Sequence, residues 1–523
     1  MEALAGVGML DGNDLWDLVE RRASCTPAAL LATDEHGATL SFGELRDRSL
    51  ALARVLWERK IQAETRVAWL MPTRIDALVL TAALSRLGAV QVPLLPTVGA
   101  RELTFAVRES KSDVLIVSPT TRQSDPRAFA ASALGDIQSQ PKVLVLEALL
   151  GGGSAAALPP AAPPSVRPED APWRWVFYTS GTTTDPKGAK HSDATLAASA
   201  RGIGPPHRFS PDDRVSLVFP YPHIGGPSLL FSALMVGYAL ILTETFDAEV
   251  VIKALHANGV TLAGPGPAFW QAFIAAQRQE PDRVLFPKLR ALIGGGAAKP
   301  ANLQREAREV LGVDIVSGYG LTECPALAYN HLGDPDDVLA TDGRAVLGVE
   351  MKTVRPDGRS APVGVEGEIC VKGPMQFLGY LDSRLDAEAI DEEGFVRTGD
   401  LGVLDAAGQL RVTGRRKDVI IRKGENISAK EVEDLLVEHP KVREVAVIGL
   451  PDPERGERCC AVVVLVDPSD PLTLGDVGRH CLSAGLMKIK IPEQVECVAA
   501  LPHNSTGKVQ KALLRAEFGQ KAG

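Results

Sequence analysis

The sequence predicts an α/β protein with a large multi-subdomain N-terminal domain, made of layered α/β sheets and a small β-rich subdomain, and a small C-terminal α+β domain. Three observations support this prediction. Helix-like and strand-like segments alternate over much of the chain, a run of short strands with glycine turns follows, and a compact module of about a hundred residues comes last. A chain of 523 residues is also too long for a single core.

The first alternating block begins at residue 15 and ends near residue 145. Apolar residues at helical spacing predict helices over 42–57 and 75–87. Short β-branched runs predict strands at 66–71, 89–93, 114–117 and 143–146. Because helices and strands take turns, we expect a largely parallel sheet.

A glycine-rich and proline-rich stretch, residues 151–172, follows this block and has the composition of a surface linker. It leads into an apolar, aromatic strand at 173–178 and then into the loop YTSGTTTDPKG, residues 178–188. Small residues let several backbone N–H groups converge on a phosphate, and the hydroxyls and the lysine add further donors. We therefore expect a phosphate-binding loop.

Two alternatives compete for this loop. The nucleotide-binding P-loop has the pattern G-x-x-x-x-G-K-[ST], which fails here because Pro186 precedes Lys187 and Gly188 follows it. A flexible surface linker is the other alternative, and it is disfavoured because a linker does not normally follow so apolar a strand.

Beyond the loop, residues 215–316 alternate again between strand and helix, with glycine clusters at strand ends that indicate backbone close to a ligand. Short strands with turns at 357–358, 393–394 and 407–408 predict the β-rich subdomain. In the last module, Ser428 and Glu431 form a predicted capping box for a helix that ends before Pro440. The predicted limits are 1–414 for the N-terminal domain, 415–417 for the connection and 418–523 for the C-terminal domain.

Composition excludes several classes of function. A net charge of −9, with 45% hydrophobic and 23% charged residues, gives no electrostatic reason to bind nucleic acid or an anionic membrane. The longest apolar run, residues 228–243, is interrupted by Gly237 and is shorter than the roughly 20 residues of a membrane span, so we expect a buried helix followed by a strand. The N-terminus lacks the pattern of a secretory signal, and seven scattered cysteines without ligand spacing indicate reduced thiols in a cytoplasmic protein without structural zinc.

Four further motifs follow the loop in the chain: GYGLTE at 318–323, TGD at 398–400, GRRKD at 414–418 and NSTGK at 504–508. Each one alone is typical of an ordinary turn or a solvated surface. Together with the loop, in this order, they resemble the signatures of the adenylate-forming enzymes, the superfamily of acyl-CoA synthetases, luciferases and peptide-synthetase adenylation domains. The resemblance extends from about residue 15 to residue 518. The usual loop is TSGTTGxPKG, and Thr184 stands here where glycine is usual, so this position cannot readily adopt a positive φ.

The resemblance implies a role for each motif in binding ATP. Residues that contact the phosphates are Thr179, Ser180, Gly181, Thr182, Thr183 and Lys187. Residues that surround the adenine are Gly295, Gly296, Ala297, Gly318, Tyr319 and Gly320, with the Tyr319 ring stacked on the base. Thr322 donates to the α-phosphate, Glu323 binds Mg²⁺, and Asp400 accepts hydrogen bonds from both ribose hydroxyls.

The resemblance also implies that the C-terminal domain is mobile. Arg415 contacts ribose and phosphate, Lys417 is the hinge, and Lys508 reaches into the site as a catalytic residue. After rotation of the domain, residues Gly424, Glu425 and Asn426 face the thiol tunnel.

The expected reaction is the ATP-dependent activation of a carboxylic acid to an acyl-adenylate, followed by thioester formation, as in fatty acid and lipid metabolism. Coenzyme A is the expected thiol, because residues 423–428 (KGENIS) resemble the acyl-CoA synthetase branch and no carrier domain follows. A stand-alone enzyme that loads a carrier protein is the alternative. A non-catalytic adenylate sensor is disfavoured because the reactive positions are all filled, and a homodimer is left open.

By the same analogy the acyl pocket is formed by His223, Gly225, Gly226, Gly264, Gly294 and Cys324. These segments are small and apolar, and no arginine or aspartate stands out to bind an amino-acid headgroup, so an apolar chain or ring is favoured. His223 is either a gate of this pocket or a satisfied core histidine.

Overall fold

The structure is a computed structural model. It describes residues 10–119, 125–135, 140–154, 156–161, 170–179, 186–244, 247–296, 299–300, 302–422, 425–503 and 508–519. As predicted, these residues form a mixed α/β fold with a large N-terminal domain and a smaller C-terminal domain.

The strands of the two large sheets come from the first two thirds of the chain. They are β1 (Leu30–Asp34), β2 (Thr39–Ser41), β3 (Arg66–Leu70), β4 (Val90–Leu94), β5 (Val114–Val117), β6 (Lys142–Val145), β7 (Trp173–Tyr178), β8 (Gly188–Ser192), β9 (Arg214–Leu217), β10 (Ala239–Leu242), β11 (Leu262–Ala263), β12 (Ala291–Gly295), β13 (Asp314–Leu321), β14 (Cys324–Tyr329) and β15 (Arg344–Ala345). The described strands form a sheet in the order β6-β5-β3-β4-β7-β8 and a second in the order β15-β14-β13-β12-β11-β9-β10-β1-β2. Both are parallel except at their edges, where β8, β2, β14 and β15 pair antiparallel, so the predicted parallel sheet is confirmed.

The remaining strands build two smaller sheets. They are β16 (Glu350–Val354), β17 (Gly367–Lys372), β18 (Val396–Leu404), β19 (Leu410–Arg415), β20 (Val419–Arg422), β21 (Glu425–Ser428), β22 (Val442–Asp452), β23 (Gly456–Leu465) and β24 (Gln494–Val498). Strands β16 to β19 form an antiparallel sheet, which is the predicted β-rich subdomain. The C-terminal sheet has the order β21-β20-β23-β22, with β24 parallel to β23.

The helices cover these sheets. They are α1 (Leu15–Cys25), α2 (Phe42–Glu58), α3 (Ile75–Arg86), α4 (Ala100–Ser110), α5 (Pro126–Leu134), α6 (Leu146–Leu150), α7 (Asp193–His207), α8 (Gly225–Val236), α9 (Ala248–Ala257), α10 (Pro267–Gln279), α11 (Leu303–Leu311), α12 (Asp336–Leu339), α13 (Asp386–Ala389), α14 (Ala429–Leu436), α15 (Leu474–Ser483) and α16 (Lys511–Gly519). The largest hydrophobic cluster joins both large sheets, with Trp69 and Trp175 from one and Leu217 and Leu240 from the other. Leu78 of α3 lies in the same cluster, so the helices bridge the sheets.

The long apolar run at 228–243 forms most of α8 and then β10, as predicted, and the two elements are separated by Gly237 at φ +98°. The run is apolar because both elements are buried in the core. Within the described ranges, no helix combines the length and apolar character that crossing a lipid bilayer requires.

The predicted capping box of α14 is only half formed. Ser428 Oγ accepts a hydrogen bond from Glu431 N at 3.3 Å. The Glu431 carboxylate instead pairs with Lys490 Nζ at 2.7 Å, because a charged partner from a distant segment competes better than a local amide. Ser428 also donates to Thr413 O at 2.7 Å, which ties the start of this helix to β19.

Candidate functional site

The base of the predicted phosphate loop is a closed hairpin. Tyr178 and Gly188 face each other in the β7–β8 pair, and two hydrogen bonds continue the ladder: Thr179 N donates to Lys187 O at 3.0 Å and Lys187 N to Thr179 Oγ1 at 3.2 Å. Lys187 Nζ lies 5.2 Å from the centre of the Tyr380 ring. Residues Ser180, Gly181, Thr182, Thr183 and Thr184 lie outside the described residues.

The second motif spans the end of β13 and the turn into β14. Tyr319 lies on β13, and Thr322 and Glu323 follow in the turn. Glu323 Oε1 accepts a hydrogen bond from the Tyr380 hydroxyl at 2.6 Å. His191 Nε2 lies 2.9 Å from Thr322 O, and since a carbonyl only accepts, Nε2 carries the proton. The turn is therefore held from two sides, by a tyrosine and a histidine.

Asp400 lies on β18 and is almost completely buried, with 6% of the residue exposed. Its Oδ1 lies 2.8 Å from Arg415 Nε, and its Oδ2 accepts a hydrogen bond from the Tyr319 hydroxyl at 2.8 Å. Arg415 is directly opposite Asp400 in the β18–β19 register. Three predicted site residues from three motifs thus meet at one carboxylate.

Lys508 comes to this cluster from the C-terminal domain. Burial lowers its pKa, and the positive charges of Arg415 and Lys417 act in the same direction, while Asp400 and Glu323 oppose the shift. These groups influence one another because they share a partly buried, poorly solvated region. The structure therefore brings Lys508, the last motif of the chain, to the residues of the second and third motifs.

The charges of this region suit a polyanion. Lys508, Arg415 and Lys187 supply cations, and Glu323 and Asp400 supply carboxylates that can hold a divalent cation or a diol. Such an arrangement can bind a nucleoside triphosphate and neutralise the negative charge that develops when one of its phosphates is attacked.

The glycines of the predicted adenine segment lie where backbones approach closely. A Cβ at Gly295 would be 2.2 Å from Gly318 O, and one at Gly320 would be 2.5 Å from Pro325 O. Among the described residues, no atom comes within 4 Å of the place where a Cβ of Gly296, at φ +81°, would be. Ala297 lies outside the described residues. The glycines at 295, 318 and 320 are thus explained by packing, whereas Gly296 is not crowded by any described residue.

Three of the glycines predicted for the acyl pocket also face backbone. A side chain would meet Tyr221 O at 2.2 Å from Gly226, Ile293 O at 2.5 Å from Gly264, and Pro265 O at 1.8 Å from Gly294. At Gly225 the neighbours are the rings of Phe219 and His223, at 3.3 and 3.4 Å. Close packing of main chain explains the first three, and their membership of a pocket stays a prediction.

His223 and Cys324 differ in their surroundings. Enclosure by protein, together with the charge of Lys508, lowers the pKa of His223 to about 4, so its ring is neutral at physiological pH. His223 Nδ1 accepts a hydrogen bond from Gly225 N at 3.3 Å. Cys324 is fully buried in a hydrophobic cluster with Phe377 and Tyr380, and burial raises the pKa of its thiol. Its role as a pocket residue also stays a prediction.

The residues predicted for the thiol step are on β21 and next to it. Glu425 and Asn426 are exposed on β21, and Gly424 lies outside the described residues. Among the hydrogen bonds and ion pairs of the described residues, none joins Glu425 or Asn426 to Asp400 or Glu323. Lys417 occupies the 3-10 turn Arg416–Asp418 between β19 and β20.

Sequence reasoning missed Tyr380 and His191. Tyr380 joins the loop to the second motif, since its hydroxyl binds Glu323 and its ring lies under Lys187. Its N–H donates to Asp386 Oδ1 at 2.8 Å, which fixes the segment that follows Gly379. A glycine followed by an aromatic residue marks only a turn in the sequence, so no local pattern identifies Tyr380.

We expect His191 to make the protein less stable in acid. Burial lowers the pKa of His191 to about 4, from 6.5 in an unfolded chain. Below about pH 6.5 the unfolded state therefore takes up a proton that the folded state does not bind. The free energy of unfolding keeps its full value above this pH and decreases as the pH falls towards 4, with a loss of about 2 kcal/mol at pH 5. Urea unfolding of wild type and His191→Gln at pH 7.5 and pH 5 measures this difference.

The matched control is His36→Gln, because the His36 side chain is 75% exposed. His36→Gln should lose as much stability as the wild type between the two pH values, whereas His191→Gln should lose about 2 kcal/mol less. The same pH dependence in His191→Gln as in wild type would contradict the assignment of a neutral, buried imidazole.

The donor set at Glu323 fits a magnesium ion shared with a substrate. Mg²⁺ is usually bound by one or two carboxylates together with phosphate oxygens, and it prefers hard oxygen ligands. Glu323 supplies such a carboxylate, oriented by Tyr380, next to the phosphate loop. In the described ranges no group of three or more His, Cys, Asp or Glu residues could hold a metal ion on its own.

Comparison with known families gives two matches along the chain. Residues 19–381 match the model of the AMP-binding enzyme family. Residues 431–508 match the model of the AMP-binding enzyme C-terminal domain. Together the two matches cover most of the chain, and the segment between them, residues 382–430, includes the predicted connection.

Curated relatives align over nearly the whole chain. The medium-chain fatty-acid–CoA ligase of Escherichia coli (strain K12) is 30% identical over 98% of this chain and 91% of its own length. The indoleacetate–CoA ligase of Aromatoleum aromaticum is 33% identical, over 92% and 94%. The salicyl-AMP ligase / salicyl-S-ArCP synthetase of Mycobacterium tuberculosis is 32% identical, over 93% and 87%.

Solved structures show the same similarity. ATP-bound MatB from Rhodopseudomonas palustris is 28% identical and has a TM-score of 0.86, covering 97% of this chain and 100% of that chain. The apo form of MatB, also 28% identical, has a TM-score of 0.74 over 98% and 100%. The o-succinylbenzoate coenzyme A synthetase MenE of Bacillus subtilis, in complex with ATP and magnesium, is 28% identical with a TM-score of 0.82, over 96% and 98%. The present structure is thus more similar to the ATP-bound than to the apo form of MatB.

Proposed function

Because this chain belongs to the family of AMP-binding enzymes, we propose that it activates an apolar carboxylic acid as an acyl-adenylate and then transfers the acyl group to coenzyme A. Membership of this family makes the chain an AMP-forming acid–thiol ligase that uses ATP. The choice of acid, the choice of acceptor and the roles of individual residues are our proposal. The observation that carries it is the meeting of Tyr319, Asp400 and Arg415 at one carboxylate, together with the influence of the Asp400, Arg415 and Glu323 charges on Lys508.

The first half-reaction gives the acyl group a better leaving group. A carboxylate oxygen is a poor leaving group, whereas the phosphate of an acyl-adenylate is a good one. An oxygen of the acid attacks the α-phosphorus of ATP, and the bond from that phosphorus to pyrophosphate breaks. Both reactants are anions and repel each other, so the site must supply positive charge where they meet.

We assign this charge mainly to Lys508. Its ammonium would lie between the acid and the α-phosphate, and the hydroxyl of Thr322 would donate to the same phosphate. The loop from Thr179 to Thr183, with Lys187, would bind the phosphates through amides, hydroxyls and an ammonium. A bound Mg²⁺ held by Glu323 would neutralise further charge on the triphosphate.

The remaining nucleotide contacts follow from the shapes of the residues. Tyr319 would stack on the adenine, bordered by residues 295–297 and by Gly318 and Gly320. Asp400 would accept hydrogen bonds from the ribose hydroxyls, and Arg415 would contact ribose and phosphate.

Thioester formation needs a different surface, and we propose that the C-terminal domain supplies it by rotating. The limits would be 1–414, 415–417 and 418–523, with Lys417 as the hinge. Rotation would withdraw Lys508 and bring residues 424–426 to the thiol. Two short ion pairs lie on either side of Lys417 and support this division. Arg416 pairs with Glu368 of β17 at 2.9 Å, and Asp418 pairs with Arg515 of α16 at 2.8 Å.

An apolar acid is supported by the composition of the predicted pocket segments, where small and apolar residues surround a neutral His223. Relatives named for a fatty acid and for aromatic acids are consistent with a chain or a ring. A carrier-protein acceptor is the second candidate, favoured by the similarity to the salicyl-S-ArCP synthetase.

Product analysis tests the acid and the acceptor together. Pyrophosphate release is measured over aliphatic, alicyclic and aromatic acids, and AMP release is then measured with the best acid, with and without coenzyme A. We expect coenzyme A to raise steady AMP release at least about tenfold, because the tightly held adenylate limits turnover without a thiol. A response to a phosphopantetheinylated carrier protein and none to coenzyme A would favour the second candidate. Pyrophosphate release with polar amino acids alone would exclude an apolar acid.

A further inference from the structure

The hydroxyl of Tyr319 has a partner that its proposed stacking role does not explain. It donates to Asp400 Oδ2 at 2.8 Å, while Arg415 Nε lies 2.8 Å from Asp400 Oδ1. Asp400 is only 6% exposed, so its carboxylate is largely shielded from solvent. One buried carboxylate is thus held on both oxygens by residues 81 positions before it and 15 positions after it.

The two contacts have different origins in the fold. Arg415 faces Asp400 across the β18–β19 ladder, so this pair follows from strand register. Tyr319 belongs to β13 of the nine-stranded sheet, and its phenol crosses to the four-stranded sheet. The tyrosine therefore fixes the carboxylate from a direction that the arginine cannot supply.

A carboxylate has about four lone-pair sites on its two oxygens, so two donors leave acceptor capacity for a ligand. The two donors do, however, prevent the carboxylate from rotating. Burial and the nearby charge of Asp400 raise the pKa of the Tyr319 phenol well above its usual value, so it remains a donor at physiological pH.

We infer that Tyr319 is a positioning residue for Asp400, whose hydroxyl holds the carboxylate in the orientation that receives the ribose diol. The inference rests on the proposed nucleotide site and adds a second, separable contribution of the tyrosine. The ring acts on the base, and the hydroxyl acts on the sugar through Asp400. Loss of the hydroxyl should therefore weaken recognition of the diol and leave stacking intact.

Equilibrium binding of two nucleotides to Tyr319→Phe tests this separation. Calorimetry without acid or coenzyme A gives the Kd of ATP and of 2′,3′-dideoxy-ATP, which lacks both hydroxyls. We expect Tyr319→Phe to raise the Kd of ATP about tenfold, because a hydrogen bond to a charged group is lost, and the Kd of dideoxy-ATP less than about twofold. An equal loss for the two nucleotides, or no loss for ATP, would overturn the inference.

Tyr238→Phe is the matched control, since it removes a buried hydroxyl that donates to Leu229 O at 3.2 Å outside the site. It should bind both nucleotides as wild type does. A double variant that combines Tyr319→Phe with Asp400→Asn should raise the Kd of ATP less than about twofold above that of Asp400→Asn alone, because the tyrosine acts through the carboxylate. Additive losses in the double variant would contradict this. A wild-type protein that binds ATP and prefers it to dideoxy-ATP upholds the nucleotide site whatever the variants do, and one that binds no ATP refutes both.

Discussion

Lys508→Ala is expected to lower the rate of acyl-adenylate formation by at least about a hundredfold and to leave thioester formation from a supplied acyl-adenylate close to wild type. Removing one preorganised donor from a site where charge develops typically costs this much. The charges of Arg415, Asp400 and Glu323 all act on Lys508, and burial strengthens such electrostatic interactions. In the second half-reaction the thiol attacks a neutral carbonyl carbon and not an anionic phosphate, so it should not depend on this ammonium.

Separate assays of the two half-reactions measure this effect. Acid-dependent exchange of pyrophosphate into ATP reports the first, and thioester formation from synthetic acyl-adenylate and coenzyme A reports the second. Lys511→Ala is the matched control, because Lys511 pairs with Glu433 at 2.7 Å within the C-terminal domain. It should retain both activities, and equal loss of both half-reactions in Lys508→Ala would refute the proposed role.

Local patterns in the sequence predict the elements that carry this site. Hydrophobic periodicity predicts the helix at residues 42–57, and the structure has α2 at Phe42–Glu58. Glycine at the turns of 357–358, 393–394 and 407–408 predicts the β-rich subdomain, and each of these glycines has a positive φ. Such features depend on neighbours in the chain, and a sequence displays those directly.

Contacts between distant segments are what the sequence could not predict. Nothing near Tyr319 or Tyr380 indicates that their hydroxyls bind Asp400 and Glu323, 81 and 57 positions away. The half-formed capping box of α14 has the same cause, since Lys490 reaches Glu431 across 59 positions. Contacts with distant segments determine which hydrogen bonds these side chains make, and a local motif does not predict those contacts.

Glycine occurs in these clusters for two different reasons. Close backbone at Gly264, Gly294 and Gly295 requires glycine for packing, whatever the ligand. Gly296 differs, because no described residue lies in the direction of its missing side chain. Sequence alone gives the same signal for both, and only the atoms around each Cβ position separate them.

Lys417→Pro should retain pyrophosphate release and lower the thiol-dependent step by about two orders of magnitude, since small misplacements of reacting groups cost this much. Proline fixes φ near −65°, a value that suits the 3-10 turn Arg416–Asp418 of the present arrangement. The same ring prevents the large φ change that rotation of the C-terminal domain requires.

The position of Lys417 between two anchors makes this test specific. Arg416 is held to the N-terminal domain by Glu368, and Asp418 is held to the C-terminal domain by Arg515. We therefore propose that rotation takes place at the residue between them, which leaves both ion pairs intact. Lys417→Ala is the control, because it removes the ammonium and leaves φ free. It should retain the activity of wild type in both half-reactions. Unchanged overall turnover in Lys417→Pro would exclude this residue as the hinge, and loss of pyrophosphate release would show that the proline disturbs the adenylating arrangement itself.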